Sequence, residues 1–199
     1  EYLANKGVSV IPKLKASSEG VLVVPLRNAL GELTTIQWIY ADGGKRLLPF
    51  GKKSGSFFPI KGKGETLLIV EGLATGISAY IATGYTTLVA VDAGNLSKVA
   101  KIARERHPEK KIIICADNDI NPGKLNTGIE KATEAALLVN GYVAVPHMKK
   151  AGKHIKCDFN DVHQALGEKE TKKQILRAER PIGYQAQHDI LPYGFSLTR

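Results

Sequence analysis

Cysteine is scarce in this sequence: there are two, Cys115 inside an apolar run and Cys157 in a polar stretch, with no CxxC pair. That rules out a zinc ribbon and argues against a disulfide framework. Long hydrophobic runs are missing too. Stretches such as Leu67 to Val70 and Ile112 to Ala116 fall well short of the roughly 18–20 residues a membrane helix needs. No signal peptide heads the chain, so a cytoplasmic protein with no membrane partner is expected. Gly72 and Gly76 follow an apolar strand but lack the GxGxxG spacing and the downstream acid of a dinucleotide site. The histidines, at 107, 147, 154, 163 and 188, show no metal-ligand spacing. Acidic residues are outnumbered, 19 against 28 Lys and Arg, for a formal net charge of +9. Such an excess favours an anionic partner, nucleic acid foremost, because lysines and arginines gain affinity by releasing counterions from phosphates.

What is present fits a folded α/β chain. At 199 residues and 43% hydrophobic content it can bury a sizeable core. From Val21 to about Phe58 the runs VLVVPL and TTIQWIYA are separated by turn residues at Asn28 to Gly31 and at Asp42, Gly43 and Gly44. This is strand and hairpin chemistry. Residues 51–64, rich in Gly, Lys and Ser, read as a basic connector. From Thr66 apolar strands alternate with amphipathic helices: LLIVE, TTLVAV, KIIICA and YVAVP, with helical stretches between them. That rhythm predicts a parallel sheet covered by helices on both faces. Asn95 is expected to cap the second helix and Gly141 to end the third. A short helix near 161–166 and a charged one over about 169–180 follow. The resulting division is a small β-rich lobe over 1–62, an α/β domain over 63–168, and a helical tail and linker over 169–199. The opening at Glu1 and the closing PYGFSL segment read as those of a fragment leading into a further folded module.

Ligands of open α/β sheets bind beyond the carboxyl ends of the strands, where loops diverge and helix N-termini point. Here the first strand ends in Glu71, the second in Asp92, and the third runs into Asp117 and Asp119. An acid after a strand can serve simply as a turn or cap residue; the convergence of these at one edge is what singles them out. Asp117 and Asp119 are two apart, so persisting strand geometry aims them the same way and lets them share a cation. Carboxylates without His or Cys neighbours favour a hard cation, magnesium or manganese. Such an ion, completed by substrate phosphates, neutralises the charge of phosphoryl transfer. Glu71 is a further ligand or a general base. Asp92 is a possible additional ligand.

The segments LLIVEG, ATGISAY, LVAVDAGNL, IIICADND, GIEKATEAA and VAVP with CDFNDV resemble the topoisomerase-primase (Toprim) domain over about residues 66–166. The wording is most similar to the primase-like Toprim of plasmid, phage and integrative-element proteins. The resemblance implies a Toprim, Rossmann-like parallel sheet flanked by helices. It also implies catalysis by Glu71 as acid-base residue, with Asp117 and Asp119 binding magnesium or manganese, and DNA replication as the setting. Asp158 and Asp161 align with a later acidic motif of the family and equally suit a helix cap at Asn160 or Asp161. The expected partners are a single-stranded DNA template, nucleotides, and a helicase-type module in the same polypeptide.

Lysines flank the acids in sequence. Lys52, Lys53, Lys61 and Lys63 precede the first strand, while Lys149, Lys150, Lys153 and Lys156 follow the fourth. Either run can hold template or nucleotide phosphates or form a solvated loop. Trp38, Tyr40, Phe57 and Phe58 suit base stacking or the core of the small lobe. Three functions follow: primer synthesis by nucleotidyl transfer, hydrolysis of DNA by the same site, or a non-catalytic module binding DNA or a helicase. A topoisomerase fits less well, because no tyrosine is marked as a nucleophile.

Overall fold

The computed structural model describes residues 1–8, 14–120 and 124–182. Alternation along two strands organises the larger lobe. In β6 (Thr66–Val70) and β8 (Lys111–Cys115), Leu68, Val70, Ile113 and Cys115 face one core, while Leu67, Ile69, Ile112 and Ile114 face another. A strand with apolar residues on both faces can be satisfied only between two layers of helices. Those layers are α2 (Leu73–Thr83) and α5 (Phe159–Leu176) on the first face. On the second lie α3 (Leu96–Arg106) and α4 (Thr127–Leu138).

The sheet has five strands in the order β5-β7-β6-β8-β9, with β5 at Phe58–Ile60, β7 at Thr86–Val89 and β9 at Tyr142–Ala144. β6, β7, β8 and β9 are parallel, as the alternating pattern predicts. β5 pairs antiparallel with β7, Phe58 opposite Val89 and Ile60 opposite Thr87. Residues 58–60, expected to close the small lobe and its connector, are therefore an edge strand of the large sheet. Pro59 is tolerated there because an edge strand leaves one side of its backbone unpaired.

The remaining small lobe is an antiparallel sheet in the order β1-β2-β3-β4, formed by Lys15–Ala16, Leu22–Arg27, Leu33–Ile39 and Lys45–Leu47. Its inner residues Leu22, Val24, Leu26 and Ile39 join the first core. So do Tyr2 and Leu3 of the short helix α1 (Tyr2–Asn5). A hairpin of β10 (Met148–Lys150) and β11 (Lys153–Ile155) leads into α5. Gly167, with φ 79°, breaks α5, which accounts for the two helical stretches in the sequence. The second of them is not a free tail. Ile175 and Thr171 are fully buried, and Gln174 bonds both the N–H and the carbonyl of His147. Beyond residue 182, including PYGFSL, the chain lies outside the described residues.

Two expected caps differ in detail. Asn95 precedes α3 but makes no side-chain cap bond; its amide is used elsewhere, as described below. At the end of α4 the left-handed residue is Asn140, φ 48°, and Gly141 N–H returns to Ala136 O at 2.8 Å, a Schellman-type closure.

Candidate active site

The three strands β6, β7 and β8 end together and deliver Glu71, Asp92, Asp117 and Asp119 to one edge. The backbone there is held tightly. Val91, with φ 68°, is a β-branched residue in the left-handed region, a conformation that persists only where surroundings enforce it. Val91 N–H donates to Glu71 O at 2.9 Å, and Asn95 Nδ2 donates to Ala90 O at 2.9 Å. The same Nδ2 reaches Ser56 O at 2.8 Å and Lys53 O at 3.3 Å, while Asn95 Oδ1 accepts from Gly55 N–H. This buried amide ties the connector to the acidic edge.

Past β8 the extended geometry continues. Asn118 pairs with Cys157 in an antiparallel bridge, and its side chain is buried, bonding Pro146 O and Asn126. Asp117 and Asp119 flank it on the more exposed side. Asn126 accepts from the N–H of both Asp119 and Ile129, fixing the turn against the start of α4. Gly128 permits this approach: a Cβ there would lie 2.2 Å from Asp117 O.

Asp117 is the most perturbed acid of the edge. Burial lifts its pKa to about 7, with further repulsion from Asp158, Glu71 and Asp119. Its Oδ1 is buried with no hydrogen-bond partner. Glu71 is also raised, first by burial; Lys45 opposes the shift, and Asp92 and Asp119 add to it. Asp119 pairs with Lys156 at 2.6 Å, which raises the lysine, and Asp92 pairs with Lys53.

Asp158, rather than Asn160 or Asp161, caps α5. Its Oδ1 accepts from the N–H of Asn160 and Asp161, its Oδ2 from the Thr75 hydroxyl at 3.1 Å, and Asp161 returns a bond to Asp158 N–H. This reciprocal capping box also places Asp158 where its charge acts on Asp117.

The lysines divide. Lys53 and Lys156 lie on the acids, and Lys149, Lys150 and Lys153 lie on the exposed β10–β11 hairpin beyond the carboxyl end of β9. Lys61 and Lys63, expected to flank the acidic edge, lie at the opposite one. Because β5 runs antiparallel, it returns the chain to the amino ends of the strands, where Lys63 N–H bonds Gly84 O. Lys45 was not singled out by the sequence; it stands at the start of β4, far from Glu71 along the chain, and no motif marks it. Phe57 and Phe58 are buried, whereas Trp38 and Tyr40 are half-buried, with Arg46 5.9 Å from the Tyr40 ring centroid.

Among the described residues no group of three His, Cys, Asp or Glu side chains is arranged to hold a metal ion. The donor set nevertheless suits one: oxygen ligands only, one buried and unpartnered, and two carboxylates already paired with lysine ammonium groups. Magnesium is commonly held by one or two carboxylates and completed by substrate phosphates, so a full protein cage is not required.

Comparison with known proteins agrees with this architecture. A model of the Toprim domain matches residues 66–169. Two proteins of Escherichia coli, each a DNA primase TraC, are 36% identical over 154 residues and 35% over 155 residues. Each alignment takes in 73% of this chain, which spans 11% and 14% of their lengths. The primase fragment of the bacteriophage T7 primase-helicase protein shares the fold, with a TM-score of 0.57 at 18% identity, over 81% of this chain and 66% of that one.

Proposed function

This chain belongs to the Toprim domain family, and from that premise we propose that it is the catalytic domain of a DNA primase, joining nucleotides on a single-stranded DNA template at its carboxylate edge. The observation that carries the reading is Asp117: a half-buried carboxyl with one oxygen fully buried and unpartnered, beside Glu71 and Asp119 where the parallel strands end. Such a group is costly to keep unless a charged ligand satisfies it. The similarity to proteins named DNA primase supports primer synthesis as the use of the site.

Asp117 and Asp119 would hold magnesium or manganese, with Asp92 as a further oxygen donor, which leaves the Glu71 carboxylate free to act as the base. The ion supplies neutralisation of the phosphate charge that develops during nucleotidyl transfer. Glu71, whose carboxyl pKa is raised by burial, accepts the proton of the primer 3′-hydroxyl as that oxygen attacks the α-phosphorus of a nucleoside triphosphate, the bond to the β-phosphate breaks and pyrophosphate leaves. Lys53 and Lys156 exchange their carboxylate partners for phosphate oxygens. Lys149, Lys150 and Lys153 on the hairpin hold template phosphates by charge. A helicase module in the same polypeptide is the proposed neighbour, by analogy with the T7 primase-helicase protein.

Incubation with single-stranded DNA, labelled nucleotides and magnesium should give labelled primers, and Asp119→Asn should abolish them. Loss of labelled DNA without added nucleotide would replace the proposal with a nuclease. No synthesis by the natural sequence, with DNA binding unchanged by Glu71→Gln, Asp117→Asn and Asp119→Asn together and normal replication by a parent protein carrying them, would make the domain a non-catalytic module.

A further inference from the structure

We propose that a cleft remote from the acidic edge docks an acidic protein segment bearing apolar anchor side chains. The cleft measures about 950 Å³, within the range of about 300–1,000 Å³ typical of built ligand sites. It lies between the outer face of the small sheet and α3. On one wall are Val23, Pro25, Leu33 and Ile36; on the other are Ile102 and Leu88. Leu33 is 56% exposed, and Val23, Pro25, Ile36 and Ile102 are half-exposed. Position separates this cleft from the catalytic site. Leu67 and Thr86, at the starts of β6 and β7, line it together with Arg106 and His107 at the end of α3, whereas Glu71 and Asp92 follow the opposite ends of those strands.

Charge identifies the occupant. Lys15, Arg27, Lys61, Arg106 and His107 line the cleft, with no Asp or Glu among its described lining residues, and all five are exposed. An aliphatic floor under a cationic rim complements a segment that alternates apolar and acidic residues. Single-stranded nucleic acid also seeks cations, but its sites offer aromatic faces for stacking. Here the two lining phenylalanines, Phe57 and Phe58, are 9% and 3% exposed and form part of the core. A second copy is disfavoured, since an isologous contact would bring two cationic rims together.

The test is fluorescence anisotropy of the full chain titrated into a short fluorescein-labelled peptide alternating Glu with Leu and Phe. Saturable binding is expected, weakened about fivefold by Arg106→Glu, a reversal of one exposed charge, and about tenfold by Leu33→Asp, which removes an apolar contact. Both positions are exposed, and circular dichroism verifies that the variants fold. No binding, or binding indifferent to both substitutions, overturns the proposal. So does displacement of the peptide by oligothymidylate, which would make the cleft a nucleic-acid site, or self-association abolished by Leu33→Asp, which would make it a contact between copies.

Discussion

Replacing Asp117 with asparagine keeps the shape of the side chain and removes its charge, so the variant isolates what that charge does. The ordinary value of 3.8 is raised to about 7 in the folded protein, by burial first and then by Asp158, Glu71 and Asp119. A carboxyl raised on folding favours the protonated form in the native state. Its contribution to stability is complete below pH of about 4 and is lost as pH rises through about 7. At 1.36 kcal/mol for each unit, the gap of about three units amounts to about 4 kcal/mol. Urea unfolding in magnesium-free buffer at pH 5 and pH 8 measures it. The natural sequence should lose stability between those pH values relative to Asp117→Asn, and the variant should be the more stable at pH 8 by 2–4 kcal/mol, on the order expected for a buried charge. Curves that run parallel for the two proteins would refute the claim that Asp117 is a buried, uncompensated acid.

Gly128→Ala sets a Cβ 2.2 Å from Asp117 O and should cost about 2–3 kcal/mol by overpacking, read by urea unfolding, while displacing the acidic turn enough to weaken metal binding. Asn95→Ala strands the carbonyls of Ser56 and Ala90 and the N–H of Gly55. A loss of about 2–4 kcal/mol is expected by thermal or chemical unfolding, since buried unpaired groups carry their full desolvation cost. Lys156→Ala removes the ammonium that competes for Asp119, so manganese alone should bind a few-fold tighter, by the strength typical of exposed pairs, while nucleotide binds more weakly, both by calorimetry.

The large sheet is legible in the sequence because its strands carry apolar residues on both faces and are punctuated by glycine turns. Glu71, Asp92, Asp117 and Asp119 are legible for a related reason: parallel strands of similar length end at one edge, so strand ends report spatial neighbours. What escapes is set by tertiary direction. Phe58–Ile60 is short, contains Pro59 and follows a basic stretch, so its pairing with β7 has no local signature. That antiparallel pairing in turn sends Lys61 and Lys63 to the far edge. Lys45 comes to Glu71 from another sheet, and proximity of that kind leaves no spacing to read. Asn95 stands where a cap belongs, but its Oδ1, the atom a cap would use, accepts from the Gly55 N–H of the connector instead of from the helix. Asp158 caps α5, where the sequence pointed to Asn160 or Asp161, and its charge also acts on Asp117.

The central claim is that Asp117 and Asp119 hold a divalent cation completed by nucleotide phosphates. Its most direct test is calorimetry with manganese, alone and with a nucleoside triphosphate present, on the natural sequence and on the Asp117→Asn, Asp119→Asn double variant. Binding by the natural sequence, strengthened by the nucleotide and lost in the double variant, is the predicted result. Equal binding by both proteins, or none by either with nucleotide present, would contradict it.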